Sequence, residues 1–244
     1  MTQAEQRSVP RPAPIRSSFD QLPTVEQVLQ RMSVLERALP ERDGVAVFNG
    51  VYLSVTREVE DRLSAGHFHH GPAAEELTVR FAARYLAAVD AAASGGRPAA
   101  CWRPLFELRQ HPAVAPVQFA LAGINAHIGN DLALALRDTC HHLGCEPATL
   151  ESDFDRVGDV LIGMEERVRE ELMPGPDLLD IADPLTHLVG AWSLDRARDA
   201  AWASFRALWG LRELPELADE FADRVDASVG LVGRVLLTPL GVVA

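Results

Sequence analysis

A chain of 244 residues with 48% apolar side chains can bury a sizeable core, and its 6% aromatic content beside abundant Ala and Leu favours helices over a sandwich or barrel. The net charge of −12 argues against nucleic acid or an anionic membrane surface as the main partner. All 23 basic residues are arginine, so there is no lysine for a Schiff base, a pyridoxal-phosphate anchor or a phosphate loop.

Residues 1–22 are polar and rich in Pro, which reads as a disordered tail without the apolar core of a signal peptide; residues 23–244 read as one helical domain. Cys101, Cys140 and Cys145, an odd set with no secretory leader, point to a reduced, cytoplasmic setting. No window approaches about twenty uninterrupted apolar residues, so no membrane span is expected.

Thr24-Val25-Glu26-Gln27 is a capping box that starts a helix ending near Leu39-Pro40. Asp43 can cap a second helix, in which Val47, Val51 and Val55 lead to Glu58 along one side, so the spacing predicts an inward carboxylate there. The loop from Gly66 to Pro72 holds His67, His69 and His70. Pro72 opens a third helix that runs to about Ala93, with Asp90 following Val79, Ala83 and Leu86. After Gly95-Gly96, a short helix or turn lies between Pro104 and Pro112. There Glu107 and Arg109 are flanked by Trp102, Leu105, Phe106 and Leu108.

Pro116 to Gly144 reads as a long central helix, apolar on all sides in its first half and therefore buried. Thr149 or Ser152 can cap a helix through Met173, Pro184 interrupts a short helical piece, Ser193 caps another helix, and Pro215 opens the last, which ends near Pro239. No stretch alternates with period two. The expectation is all-α, a single-domain bundle of about eight helices.

Chemistry concentrates in the central helix, where Asn125, His127, Asn130 and Asp131 need partners if buried. His127 and Asp131, four apart, share a helical face. One reading makes them ligands of a divalent metal, zinc or iron, completed by Glu58, Asp90 and Glu107, with Asp155 and Asp159 in reserve. The other makes Asp131 a hydrogen-bond acceptor for His127 inside a structural network, and each acid either a member of a buried salt bridge to arginine or a half-exposed residue. The His67, His69, His70 loop is either a set of imidazole ligands or a solvated turn, and Cys140-His141-His142 with Cys145 has no second cysteine pair. No G-x-S-x-G, dinucleotide fingerprint, H-E-x-x-H or phosphate loop occurs, so neither PLP nor a nucleotide is expected.

The segments FNGVYLSVT, AACWRPLFELR, QFALAGINAHIGNDLALAL and WSLDRARDAAWASFRALWGLR together resemble a mainly actinobacterial family catalogued as a domain of unknown function, over about Pro23 to Pro239. AHIGNDLALAL is more distantly similar to the H-x-I-G-D-x-x-x-P segment of zinc-dependent phospholipases C and related helical nucleases, whose His and Asp bind zinc. In this chain the Asp falls one place later relative to Gly129, and the next histidines are His141 and His142. The first resemblance supports the fold and the place of the site; the second implies zinc on His127 and Asp131.

The expected function is a small-molecule enzyme acting on an apolar substrate by hydrolytic or oxygenase chemistry at a divalent metal on His127 and Asp131, with His127, Asp131, Asn125 and Glu107 as catalytic candidates. The alternatives are a metal-free acid/base cyclase or isomerase built on His127 and Asp131 and acting on an apolar natural-product intermediate, and a non-catalytic helical binding protein. Oligomeric state is left open by the sequence.

Overall fold

In a computed structural model, residues 22–172 and 193–239 are described, with the side chains of 159 and 162–172 excepted. Among them the chain forms eight helical rods and no strand. The expected tail over most of residues 1–22, the break after Met173 and the interruption at Pro184 lie outside the described residues.

The starts follow local chemistry. In α1 (Val25–Ala38), Thr24 and Gln27 form the reciprocal capping box. In α2 (Gly44–Ser64), Asp43 accepts from the Val45 N–H and also holds the Arg109 Nε at 2.8 Å, which ties the cap to a residue 66 positions along the chain. Then come α3 (Gly71–Ala93), α4 (Arg103–Leu108) and the central rod, which consists of α5 (Pro116–Ala126), a π-helical turn over His127–Asp131 and α6 (Leu132–Leu143). Gly144, at φ 61°, closes that rod in the left-handed conformation that glycine adopts without strain. α7 (Ala148–Leu172) begins before both expected caps, directly after Pro147; α8 (Leu194–Gly210) starts at Ser193 and α9 (Pro215–Leu236) at Pro215.

The central rod is buried because other helices cover it on several sides. α2 and α9 lie against α5, while α3 and α8 lie against α6. At the crossing of α2 and α5, an ideal Cβ on Gly123 would stand 2.3 Å from the Phe48 ring, so only glycine admits that approach. Polar bonds fasten α9: Asn125 Nδ2 donates to the Val229 carbonyl at 3.0 Å, and Gln118 Nε2 donates to the carbonyls of Leu236 and Thr238. Asp226 accepts from the Ala100 and Cys101 N–H groups.

Two apolar clusters form the core. One is built around Met32, Phe48, Tyr85, Trp102 and Phe119, the other around Leu136, Leu150, Phe205 and Leu208. Phe81, Ile124 and Leu161 pack against both, so the two are continuous. The seam runs past His127.

Candidate functional site

The site is centred on the π turn. The Leu132 N–H reaches back to the His127 carbonyl, five residues away, and turns of this kind recur at functional positions in helices. His127 and Asp131 are only 2% and 3% exposed. Three N–H donors converge on the Asp131 carboxylate: Trp102 Nε1 at 2.9 Å and His127 Nδ1 at 3.1 Å on Oδ2, and Asn130 Nδ2 at 3.1 Å on Oδ1. An ionised carboxylate only accepts, so this pairing puts the imidazole proton on Nδ1.

Burial holds the His127 pKa below the usual histidine range, and the bond to Asp131 pulls it the other way. The ring is therefore a neutral imidazole whose Nε2 carries a lone pair. That atom is buried and has no hydrogen-bond partner, a condition that costs about 1–3 kcal/mol where no ligand relieves it.

Aromatic rings enclose the imidazole. Phe81 stacks on it at 3.5 Å with planes 4° apart, and Tyr52 meets it edge-on with centroids 4.4 Å apart. Phe48, Trp102 and Tyr85 complete the enclosure at about 6 Å. Burial pushes both tyrosine phenols far above their ordinary value, so they stay protonated.

His127 lines an apolar cavity of about 120 Å³ at the seam of the two clusters, walled by α2, α3, α5, α7 and α8. The size compares with a dry engineered cavity of about 150 Å³ that accepts benzene. Asp153 and Arg198 also line it. Asp153 accepts the His69 and His70 N–H groups, each at 2.7 Å, and thereby anchors the loop before α3 to α7. Arg198 lies over the Phe154 ring and donates to the Phe154 carbonyl.

The predicted residues divide sharply. His127 and Asp131 come together. The three outlying acids do not join them. Glu58 is exposed and pairs with Arg62, one turn on; it shares the side of half-buried Val47 and Val51, while the buried stripe runs through Phe48, Tyr52, Val55 and Val59. Asp90 pairs with Arg31 beyond Ala88, the last buried residue of α3. Glu107 pairs with Arg234 at 3.1 Å on the surface, and the apolar residues beside it turn the opposite way. Asn125 spends its amide on α9. His67, His69 and His70 are exposed, with Arg156 bonded to the His67 carbonyl and the His69 ring. Cys140 and Cys145 are free thiols 3.7 Å apart, and burial raises the Cys140 pKa to about 12.

A resident zinc or iron would need at least three donors at one point. Both Asp131 oxygens are taken by N–H groups, Asp131 sits at Nδ1 rather than beside Nε2, and Nε2 has no polar partner within an imidazole enclosed by aromatic rings. Among the described residues no group of three or more His, Cys, Asp or Glu is placed to hold a metal ion. The residues described here do not fit that group. Three of the five expected ligands, Glu58, Asp90 and Glu107, are exposed and paired with arginine rather than gathered at His127 and Asp131.

Trp102, Phe81, Tyr52 and Asp153 escaped the sequence reading. Trp102 alone carried a usable signal: a tryptophan in an apolar segment needs a partner for its N–H when buried.

A model of a family of unknown function, DUF5995, matches residues 25–239, so the chain belongs to that family. No curated protein and no solved structure matches it. Among the described residues no helix is long and apolar enough to cross a membrane.

Proposed function

We propose that this member of the family is a metal-free proton-transfer enzyme for a small apolar substrate, an isomerase or cyclase in which His127 is the base. The carrying observation is a neutral imidazole that lines an apolar cavity and whose buried Nε2 has no hydrogen-bond partner. In the step proposed, Nε2 takes a proton from the bound substrate. Asp131 stabilises the resulting imidazolium through Nδ1–H, and the proton returns to another atom of the same molecule. No electrons are exchanged, and the product is an isomer of the substrate. Trp102 and Asn130 hold Asp131 in the orientation this requires.

A histidine backed by a carboxylate also occurs beside metals. Among the described residues no group of three His, Cys, Asp or Glu is placed to share an ion there, which favours the acid/base reading.

The test incubates wild type and His127→Gln in D₂O with a library of small apolar molecules and reads isomeric or deuterium-labelled products by mass spectrometry. Turnover by wild type, lost in the variant and untouched by chelator, is expected. Turnover that survives in the variant, or that chelator abolishes, overturns the reading.

A further inference from the structure

The central rod ends on two thiols that the cavity does not use. Cys140 is the last buried residue of α6, and Cys145, half-buried, follows the glycine cap. Because Gly144 turns the chain back at φ 61°, the Cys145 N–H reaches the Cys140 carbonyl at 3.1 Å, the long bond of a Schellman cap. That bond holds the two backbones together, and the sulfurs lie 3.7 Å apart. A disulfide needs about 2.05 Å; both sulfurs belong to one helix end, so side-chain rotation closes the gap without moving a helix. The flanking histidines are engaged elsewhere: the His141 ring lies against Trp209 with centroids 5.0 Å apart, and His142 faces Glu76 at 3.7 Å. A zinc-type centre needs about four donors, whereas a disulfide needs only these two sulfurs.

We infer that Cys140 and Cys145 are a reversible redox pair, which a hydroperoxide converts to an intramolecular disulfide. Cys145 meets the oxidant, being the more accessible sulfur, while burial in the second apolar cluster keeps Cys140 protonated. In the first step the Cys145 sulfur attacks an oxygen of hydrogen peroxide. The S–O bond forms, the O–O bond breaks, and the departing hydroxide takes the Cys145 proton as water, leaving a sulfenic acid. In the second step the Cys140 sulfur attacks the Cys145 sulfur. The S–S bond forms, the S–O bond breaks, and hydroxide leaves as water with the Cys140 proton. The two thiols lose two electrons and two protons, and one hydrogen peroxide becomes two waters. A small dithiol restores both thiols by exchange. Cys101 is the internal control, since it is buried in the first cluster and that burial raises the pKa of its thiol far above the ordinary value.

The test treats the full chain with a small excess of hydrogen peroxide, blocks the remaining thiols with iodoacetamide after unfolding, and reads tryptic peptides by mass spectrometry. Cys140 and Cys145 fall on one peptide, residues 138–156, and Cys101 on another. Expected is a 138–156 peptide lighter by two hydrogens and without label, beside a labelled Cys101, with all three cysteines labelled after dithiothreitol. In Cys145→Ser the loss of label from Cys140 should fall at least about tenfold. In Cys140→Ala, dimedone should capture Cys145 as the sulfenic acid. The wild-type peptides alone decide the matter if a variant does not fold. Full labelling after peroxide, disulfides between chains, a Cys145 sulfinic acid beside a labelled Cys140, or Cys101 oxidised as fast as the pair would each overturn the inference.

Discussion

Trp102→Phe probes the Asp131 network while keeping an aromatic ring in the core. Trp102 is fully buried, and its Nε1–H is one of two donors on Asp131 Oδ2. The substitution removes a hydrogen bond to a charged group, worth about 1.5–3 kcal/mol. It also empties roughly 40 Å³, which at about 24 cal/mol per Å³ adds about 1 kcal/mol. The sum is about 3 kcal/mol, or a fall in Tm of about 6–12 °C for a chain of this size. Urea denaturation followed by circular dichroism measures the free energy. Nitrogen chemical shifts of labelled histidine report the second consequence: Asp131, with one donor fewer, attracts the Nδ1 proton more strongly, and the His127 pKa moves up towards its ordinary value. A loss of about 1 kcal/mol with an unchanged His127 titration would mean that only volume matters at Trp102 and that the network does not orient the imidazole.

Gly123→Ala should displace the Phe48 ring, which lines the cavity, costing about 1–3 kcal/mol in urea melts and weakening calorimetric binding of benzene, a single-ring probe, at least fivefold, since the added Cβ would stand 2.3 Å from that ring. Acid should weaken the fold from about pH 6.5 downwards. The unfolded chain protonates this histidine near 6.5 whereas the folded chain holds it neutral, so the contribution is complete above that pH and falls by up to about 1.4 kcal/mol per unit as the pH drops towards the folded value. Parallel melts of wild type and His127→Phe should show the slope shrinking in the variant. Asn125→Ala should cost about 0.5–1.5 kcal/mol in urea melts by removing the bond that fastens α5 to the Val229 carbonyl of α9, and should leave the His127 titration unchanged. Glu58→Gln, Asp90→Asn and Glu107→Gln should each change stability by less than about 1 kcal/mol, and the triple variant should match wild type in metal content by elemental analysis.

The fold was legible because its signals are local: Thr24 with Gln27, Asp43, Ser193 and Pro215 mark helix starts by chemistry that acts within one turn. The His127–Asp131 pair was legible for the same reason, since four residues of helix bring the two side chains together whatever surrounds them. The acids were misplaced because apolar spacing locates a stripe only to within a residue or so, and a carboxylate at its margin turns outward when an arginine stands within reach. Glu58 has Arg62 on its own helix, but the partners of Asp90 and Glu107 lie 59 and 127 residues away, on α1 and α9, and no local pattern announces them. Trp102 reaches Asp131 across 29 residues, and Phe81 reaches the imidazole from α3. The cavity is further still from any local signal, because it arises where two apolar clusters meet without filling the seam. What the sequence carried was the pair. What tertiary packing adds is the environment that strips His127 of solvent, leaves one nitrogen without a partner and makes the residue part of the wall of a space large enough for a ring. A residue pair becomes a candidate site only through those three long-range effects, which is why the chemistry follows from the assembled core rather than from the spacing.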